Sequence, residues 1–193
     1  MNEKKLGILR AASKVFSERG YRGASMDEIA LEAGIVKGTL YYNFKNKEEL
    51  FDDIVEYGIN ELKGKVEDVN KLNLDPRMKL RKCIKVQLEY VYKNKEIFKV
   101  ILSQIWGEDD RQKKLRFLVK GYIDDIKVII QEAIEHKIIA DTDPLMLAHA
   151  FFAAIASTAL YDVIEGNTKT SYVAIDNILK FTLKGMQYDI DNI

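Results

Sequence analysis

Residues 25–51, SMDEIALEAGIVKGTLYYNFKNKEELF, constrain this chain more than any other stretch, because several helix starts and stops crowd into them. Ser25 is followed three positions later by Glu28, the spacing of a capping box, in which hydroxyl and carboxylate satisfy two otherwise orphaned backbone N–H groups. Met26, Ile29, Ala30 and Ala33 recur at helical spacing and give this first helix one apolar face. Gly34 then supplies the backbone freedom for a sharp turn. A second helix begins near Val36, with Val36, Leu40 and Phe44 as its expected buried stripe and Gly38, Thr39, Tyr41 and Tyr42 on the other side. Asn46 and Glu49 repeat the capping spacing, which sets Lys47 in the first turn of a third helix.

Two tyrosines on the outward side of so short a helix have no use in packing, so they call for a partner. Their hydroxyls suit phosphate oxygens and base edges, and their rings can lie against thymine methyls or sugars. Gly38 lets a phosphate approach the backbone N–H groups, and Lys47 at a helix start favours another phosphate. The stretch thus points to a nucleic acid. It closely resembles the DNA-binding signature of the TetR family of bacterial transcriptional regulators, matching in register at Ile29, Ala30, Ala33, Gly34, Gly38, Tyr41, Tyr42, Phe44, Lys47 and Leu50. The resemblance implies a double-stranded DNA operator as partner. It also implies Lys37, Gly38, Thr39, Tyr41, Tyr42 and Lys47 as the contacting positions, with Ser25 helping from the preceding helix.

Formal net charge is zero, so the distribution of charge carries more information than its sum. Residues 1–47 hold nine Lys or Arg against five acids, a net of +4, which leaves −4 for the remainder. A basic head on an acidic body fits a DNA-binding domain at 1–47 joined to a helical effector-binding and dimerisation domain at 48–193. The lone cysteine, Cys83, excludes an intramolecular disulfide and any multi-cysteine zinc site. Arg10 and Lys14 interrupt the apolar residues near the N-terminus, so no signal-peptide core forms and a cytoplasmic location is expected.

Helical repeats account for the rest of the chain, and no alternating strand pattern occurs. The first helix covers 4–19 and is capped by Gly20, and Tyr21 beyond it closes the small core. The helix from Asn46 runs on to about residue 70 as a connector. Both prolines follow an aspartate, Asp75-Pro76 and Asp143-Pro144, and each pair marks a helix start with Asp as cap. Further helices are expected at 76–93, 95–106, 111–137, 144–165 and 170–188. The fold class is therefore all-α, with about nine helices: an N-terminal three-helix helix-turn-helix domain and a C-terminal helical ligand-binding and dimerisation domain.

Leu145–Tyr161 carries no charged residue and borders on the length of a membrane span. His149, Ser157 and Thr158 within it favour burial between the chain's own core and a second subunit, with no membrane partner. Its small residues Ala153, Ala154 and Ser157, with Leu160, are the expected homodimer interface, as the family resemblance also implies. No Glu-x-x-His pair, phosphate loop, nucleophile elbow or Cys-x-x-Cys occurs, so neither a metal site, a cofactor nor catalysis is expected. Tyr90, Phe98, Trp106, Phe117, Tyr122, His149 and Phe152 are candidates to line a pocket for a small hydrophobic or amphipathic effector, although aromatics at this spacing also fill cores. The expected function is a ligand-responsive, dimeric repressor that leaves a palindromic operator when its effector binds. The alternative is a helical scavenger of hydrophobic molecules without regulatory DNA binding.

Overall fold

The computed structural model describes residues 3–104, 108–166 and 172–185. Among the described residues the chain forms nine α-helices and no strand. They are α1 (Glu3–Gly23), α2 (Met26–Glu32), α3 (Lys37–Asn43), α4 (Lys47–Asn70), α5 (Pro76–Lys93), α6 (Lys95–Leu102), α7 (Asp110–Glu135), α8 (Pro144–Ile164) and α9 (Tyr172–Gly185). They gather into two compact units, one from 1–60 with 94–118, the other from 61–93 with 119–193.

In the first unit, Ile8, Leu9, Ala12, Val15 and Phe16 bury the inner face of α1, and α6 packs along it. Gly20 adopts φ 70°, ψ 167°, a conformation that a Cβ would resist. The chain then makes one more turn, closed by the Ala24 N–H donating to the Gly20 carbonyl at 3.2 Å, so the glycine kinks the helix that it was expected to end. That turn carries Tyr21 onto Phe16, with ring centroids 5.8 Å apart, and edge-on to Phe51 at 4.9 Å. Helix α6 stops short of its expected end. The Ser103 hydroxyl donates to the Val100 carbonyl at 2.7 Å and the Gln104 amide to Ser103 O at 3.1 Å, and such local bonds compete with helix propagation. Trp106 lies outside the described residues.

The second unit starts two of its helices on the Asp-Pro pairs. Asp75 accepts from the Arg77 N–H at 2.9 Å and Asp143 from the Leu145 N–H at 2.8 Å. Helix α7 ends on a left-handed residue that is not glycine, Lys137 at φ 56°. The Lys137 N–H donates to Ile134 O at 2.8 Å and the Ile138 N–H to Ala133 O at 2.9 Å, the bond pattern of a Schellman cap.

Helix α8 has two apolar faces. Leu147, Ala148, Phe151, Ile155 and Ala159 are buried against this unit, in which α5, α8 and α9 pack on one another. Met146, Leu160, Tyr161 and Ile164 face outward. By length and composition α8 could cross a bilayer, with mean hydropathy 1.5 and 33% of its most apolar stretch buried.

Several polar groups inside this unit are paired. Lys79 Nζ donates to both Glu132 oxygens, at 2.7 and 3.0 Å, and to the Asn70 carbonyl at 3.3 Å, which fixes the last residue of α4. The Tyr122 hydroxyl donates to Gln87 Oε1, and Gln87 Nε2 donates to the Cys83 carbonyl at 2.9 Å. Cys83 is fully buried, and burial pushes its thiol up to about 12.

Candidate nucleic-acid interface

Local chemistry sets the frame of α2 and α3. The Glu28 N–H donates to Ser25 Oγ at 3.2 Å, and the Ser25 N–H donates to Glu28 Oε2 at 3.0 Å, which completes the capping box. The Ser25 hydroxyl also donates to Glu28 Oε2 at 2.9 Å. These bonds, the hydroxyl's first and the backbone's second, hold the Glu28 carboxyl below its ordinary range. At the other end of α2, Gly34 has φ 64°, its N–H donates to Leu31 O at 3.1 Å, and the Ile35 N–H donates to Ala30 O at 3.0 Å. This cap turns the chain from α2 into α3.

Helix α3 has seven residues and keeps itself in place with very few of them. Leu40 and Phe44, the residue that ends α3, are 0% and 1% exposed. Val36 does not join them. It is the N-cap, with an extended backbone at φ −73°, ψ 146°, and it is 74% exposed, which corrects the expected stripe. A repeat of 100° per residue cannot place a side chain whose own backbone is not helical.

The expected contact residues lie mostly outward. Tyr42 is 90% exposed and Tyr41 44% exposed, while Thr39 is half-buried. Gly38 has an ordinary negative φ, and a Cβ added there would meet nothing within 4 Å. Neither backbone conformation nor packing inside the chain calls for a glycine at this position, where the helix interior favours alanine by about 1 kcal/mol.

Two cations carry partners that the sequence did not disclose. Lys37 Nζ lies 2.7 Å from Asp27 Oδ1, and the hydrogen bond to Asp27, then its charge, raises the Lys37 pKa. Lys47 Nζ donates to the Ala24 carbonyl at 2.8 Å and sits 4.8 Å from the centre of the Tyr21 ring. Arg111 lies against the same ring at 4.3 Å, a contact between distant sequence positions that no local pattern reveals. The start of α4 is capped as its spacing predicts at Asn46, whose Oδ1 accepts from the Glu49 N–H at 2.8 Å. The Glu49 carboxylate, however, takes the Lys45 N–H at 2.7 Å.

The effector-pocket candidates fall in both units. Phe98 and Phe117 belong to the first unit, and Tyr90, Tyr122, His149 and Phe152 to the second. Tyr122 and Phe152 meet edge-on at 5.8 Å. Tyr90 and Phe98 are buried, whereas Phe117 and His149 are exposed. Of the expected dimer residues, Ala153, Ser157 and Leu160 are exposed and Ala154 is half-buried. With Tyr161 and Ile164 they continue the outward row of α8.

Residues 8–54 match the family model for bacterial regulatory proteins, tetR family. Over 149 residues the chain is 31% identical to YhgD of Bacillus subtilis, an uncharacterized HTH-type transcriptional regulator, covering 77% of this chain and 78% of that protein. A provisionally named fatty acid metabolism regulator of Clostridium perfringens has a solved structure that is 39% identical, with a TM-score of 0.85 over 95% of this chain and 100% of that one. FadR from Bacillus subtilis, solved with stearoyl-CoA, shares the fold at 22% identity, with a TM-score of 0.81 over 93% of this chain and 98% of its own.

Proposed function

The chain belongs to the TetR family of bacterial regulatory proteins, DNA-binding transcriptional regulators, and we propose that it is a homodimeric repressor released from its operator by an acyl-chain effector. The observation that carries the reading is the outward side of α3. Tyr42 and Gly38 serve neither the helix nor the core, and both suit a phosphate backbone and base edges.

Two copies of α3 enter successive major grooves of an operator with twofold symmetry. Thr39 and Tyr41 face the bases, and Tyr42 and Lys47 clamp phosphates. Ser25 turns its hydroxyl from Glu28 to a phosphate at the groove edge, and Lys37 exchanges Asp27 for another. This work falls to residues 1–47, and effector binding and dimerisation fall to residues 48–193. The outward row of α8 supports dimerisation, because Leu160, Tyr161 and Ile164, with Val173 and Phe181 of α9, form an apolar surface that a second copy covers and no membrane is needed to cover. A DNA target places the protein in the cytoplasm.

The names of the Clostridium perfringens and Bacillus subtilis structures support an amphipathic effector built on a fatty-acyl chain, such as an acyl-CoA. To release DNA, that effector has to prefer the non-binding arrangement by about 1–3 kcal/mol. The test is binding of the purified chain to a labelled duplex from its own upstream region and to a random duplex library, each titrated with salt and then with long-chain acyl-CoA, free fatty acid or CoA alone. Competitor-resistant binding with a steep salt slope, reversed by acyl-CoA and not by CoA, is expected. Failure to bind any duplex overturns the regulator reading, and binding that no acyl compound reverses overturns the effector class.

A further inference from the structure

Val36, at the start of the reading helix, is a further residue that its own fold does not explain. Its spacing from Leu40 and Phe44 predicts burial, yet it stands exposed at the N-cap of α3 and makes no side-chain cap bond. Ser, Thr, Asp or Asn at such a position satisfies one of the orphan N–H groups of the first turn. This chain uses that device at four other helix starts, with Ser25, Asn46, Asp75 and Asp143. A β-branched apolar side chain in water at the start of α3 therefore serves neither the helix nor the core.

Its position gives it one apolar target. The first residues of a reading helix reach base edges in the major groove, and the C5-methyl of thymine is the apolar feature of that groove. The polar work around Val36 is already assigned, since Lys37 carries a charge, Thr39 a hydroxyl and Tyr42 a phenol. We propose that Val36 reads a thymine methyl in each half-site of the operator and so sets specificity at that base pair. This rests on the DNA-binding role proposed for α3.

The experiment first selects duplexes from a random library with the full chain, then replaces each thymine of the selected site by uracil, which removes the methyl and leaves base pairing intact. One thymine per half-site is expected at which uracil weakens wild-type binding about fourfold, or about 15-fold with both half-sites changed, as the loss of one buried methyl group each requires. Val36→Ser is expected to bind the thymine and uracil duplexes equally. Because serine caps α3, its Tm should rise by about 3 °C. Val36→Thr, which keeps one methyl, should retain part of the discrimination. Uracil that weakens wild type and Val36→Ser alike at every thymine of the site, or weakens wild type nowhere, overturns the proposal. A lowered Tm in Val36→Ser also overturns it, by showing that the side chain supports the fold. If no duplex is enriched at all, the DNA-binding role itself falls, an outcome distinct from each of these.

Discussion

Helices α3 and α8 both present side chains that their own unit leaves uncovered, but the two surfaces differ in kind. On α8 the outward residues Met146, Leu160, Tyr161 and Ile164 form an apolar row on a helix of 21 residues whose opposite face is already packed. Such a row is non-directional, and a second apolar surface satisfies it. On α3 the outward groups are a bare glycine, two phenols and an uncapped start, all within a few residues of one another. Each needs a partner at a defined place. The body thus carries a surface that asks for area, and the head carries one that asks for particular atoms.

The difference can be broken or sharpened by substitution. The largest effect is expected on the inner face of α8, where Phe151→Ala should cost about 3–5 kcal/mol of stability by urea denaturation; a loss below about 1 kcal/mol would mean that this face is not core. On the outer face, Leu160→Asp should leave the far-UV circular dichroism unchanged and weaken the dimer about tenfold or more in sedimentation. A dimer indifferent to that aspartate would remove the α8 row from the interface.

Gly38→Ala should separate fold from function within the head. Relieving the glycine stabilises α3 by up to about 1 kcal/mol, while the new methyl group should lower affinity for DNA. Stabilisation with unchanged DNA affinity would show that nothing approaches that backbone. The smallest effect concerns the capping box. Because the folded Glu28 carboxyl titrates below its ordinary value, its contribution is present above the unfolded carboxylate pKa and is lost as pH falls through the folded one. Ser25→Ala should therefore lower stability at neutral and alkaline pH, change it least at acid pH, and so flatten the acid side of the stability–pH curve measured by urea denaturation.

What could be read from sequence follows the range of the interactions. Ser25 with Glu28, Asn46 with Glu49 and both Asp-Pro pairs were legible because each cap is completed within a few residues. Gly34 was legible because its left-handed turn has a strong compositional mark. Val36 misled because helical periodicity was extended onto a residue whose backbone is extended. Lys137 gave no warning, since a left-handed cap without glycine leaves no mark in composition.

The aromatic residues of the body were the least informative. Tyr90 and Tyr122 are buried and Phe117 is exposed, although all three are aromatic residues of helices. Periodicity names a face without saying whether protein, ligand or solvent fills it. Arg111 on the Tyr21 ring and Asp27 beside Lys37 depend on tertiary approach, so only the folded chain brings them together.

The central claim, that the outward side of α3 serves DNA and not the fold, is tested most directly by measuring Tyr42→Ala beside wild type for melting temperature and for operator affinity across a salt titration. Unchanged melting temperature and affinity lowered by about 1–3 kcal/mol at every salt concentration are expected, with the salt slope kept, because a neutral phenol releases no counterion. A variant that melts earlier and binds DNA as wild type does would place Tyr42 in the fold and contradict the claim.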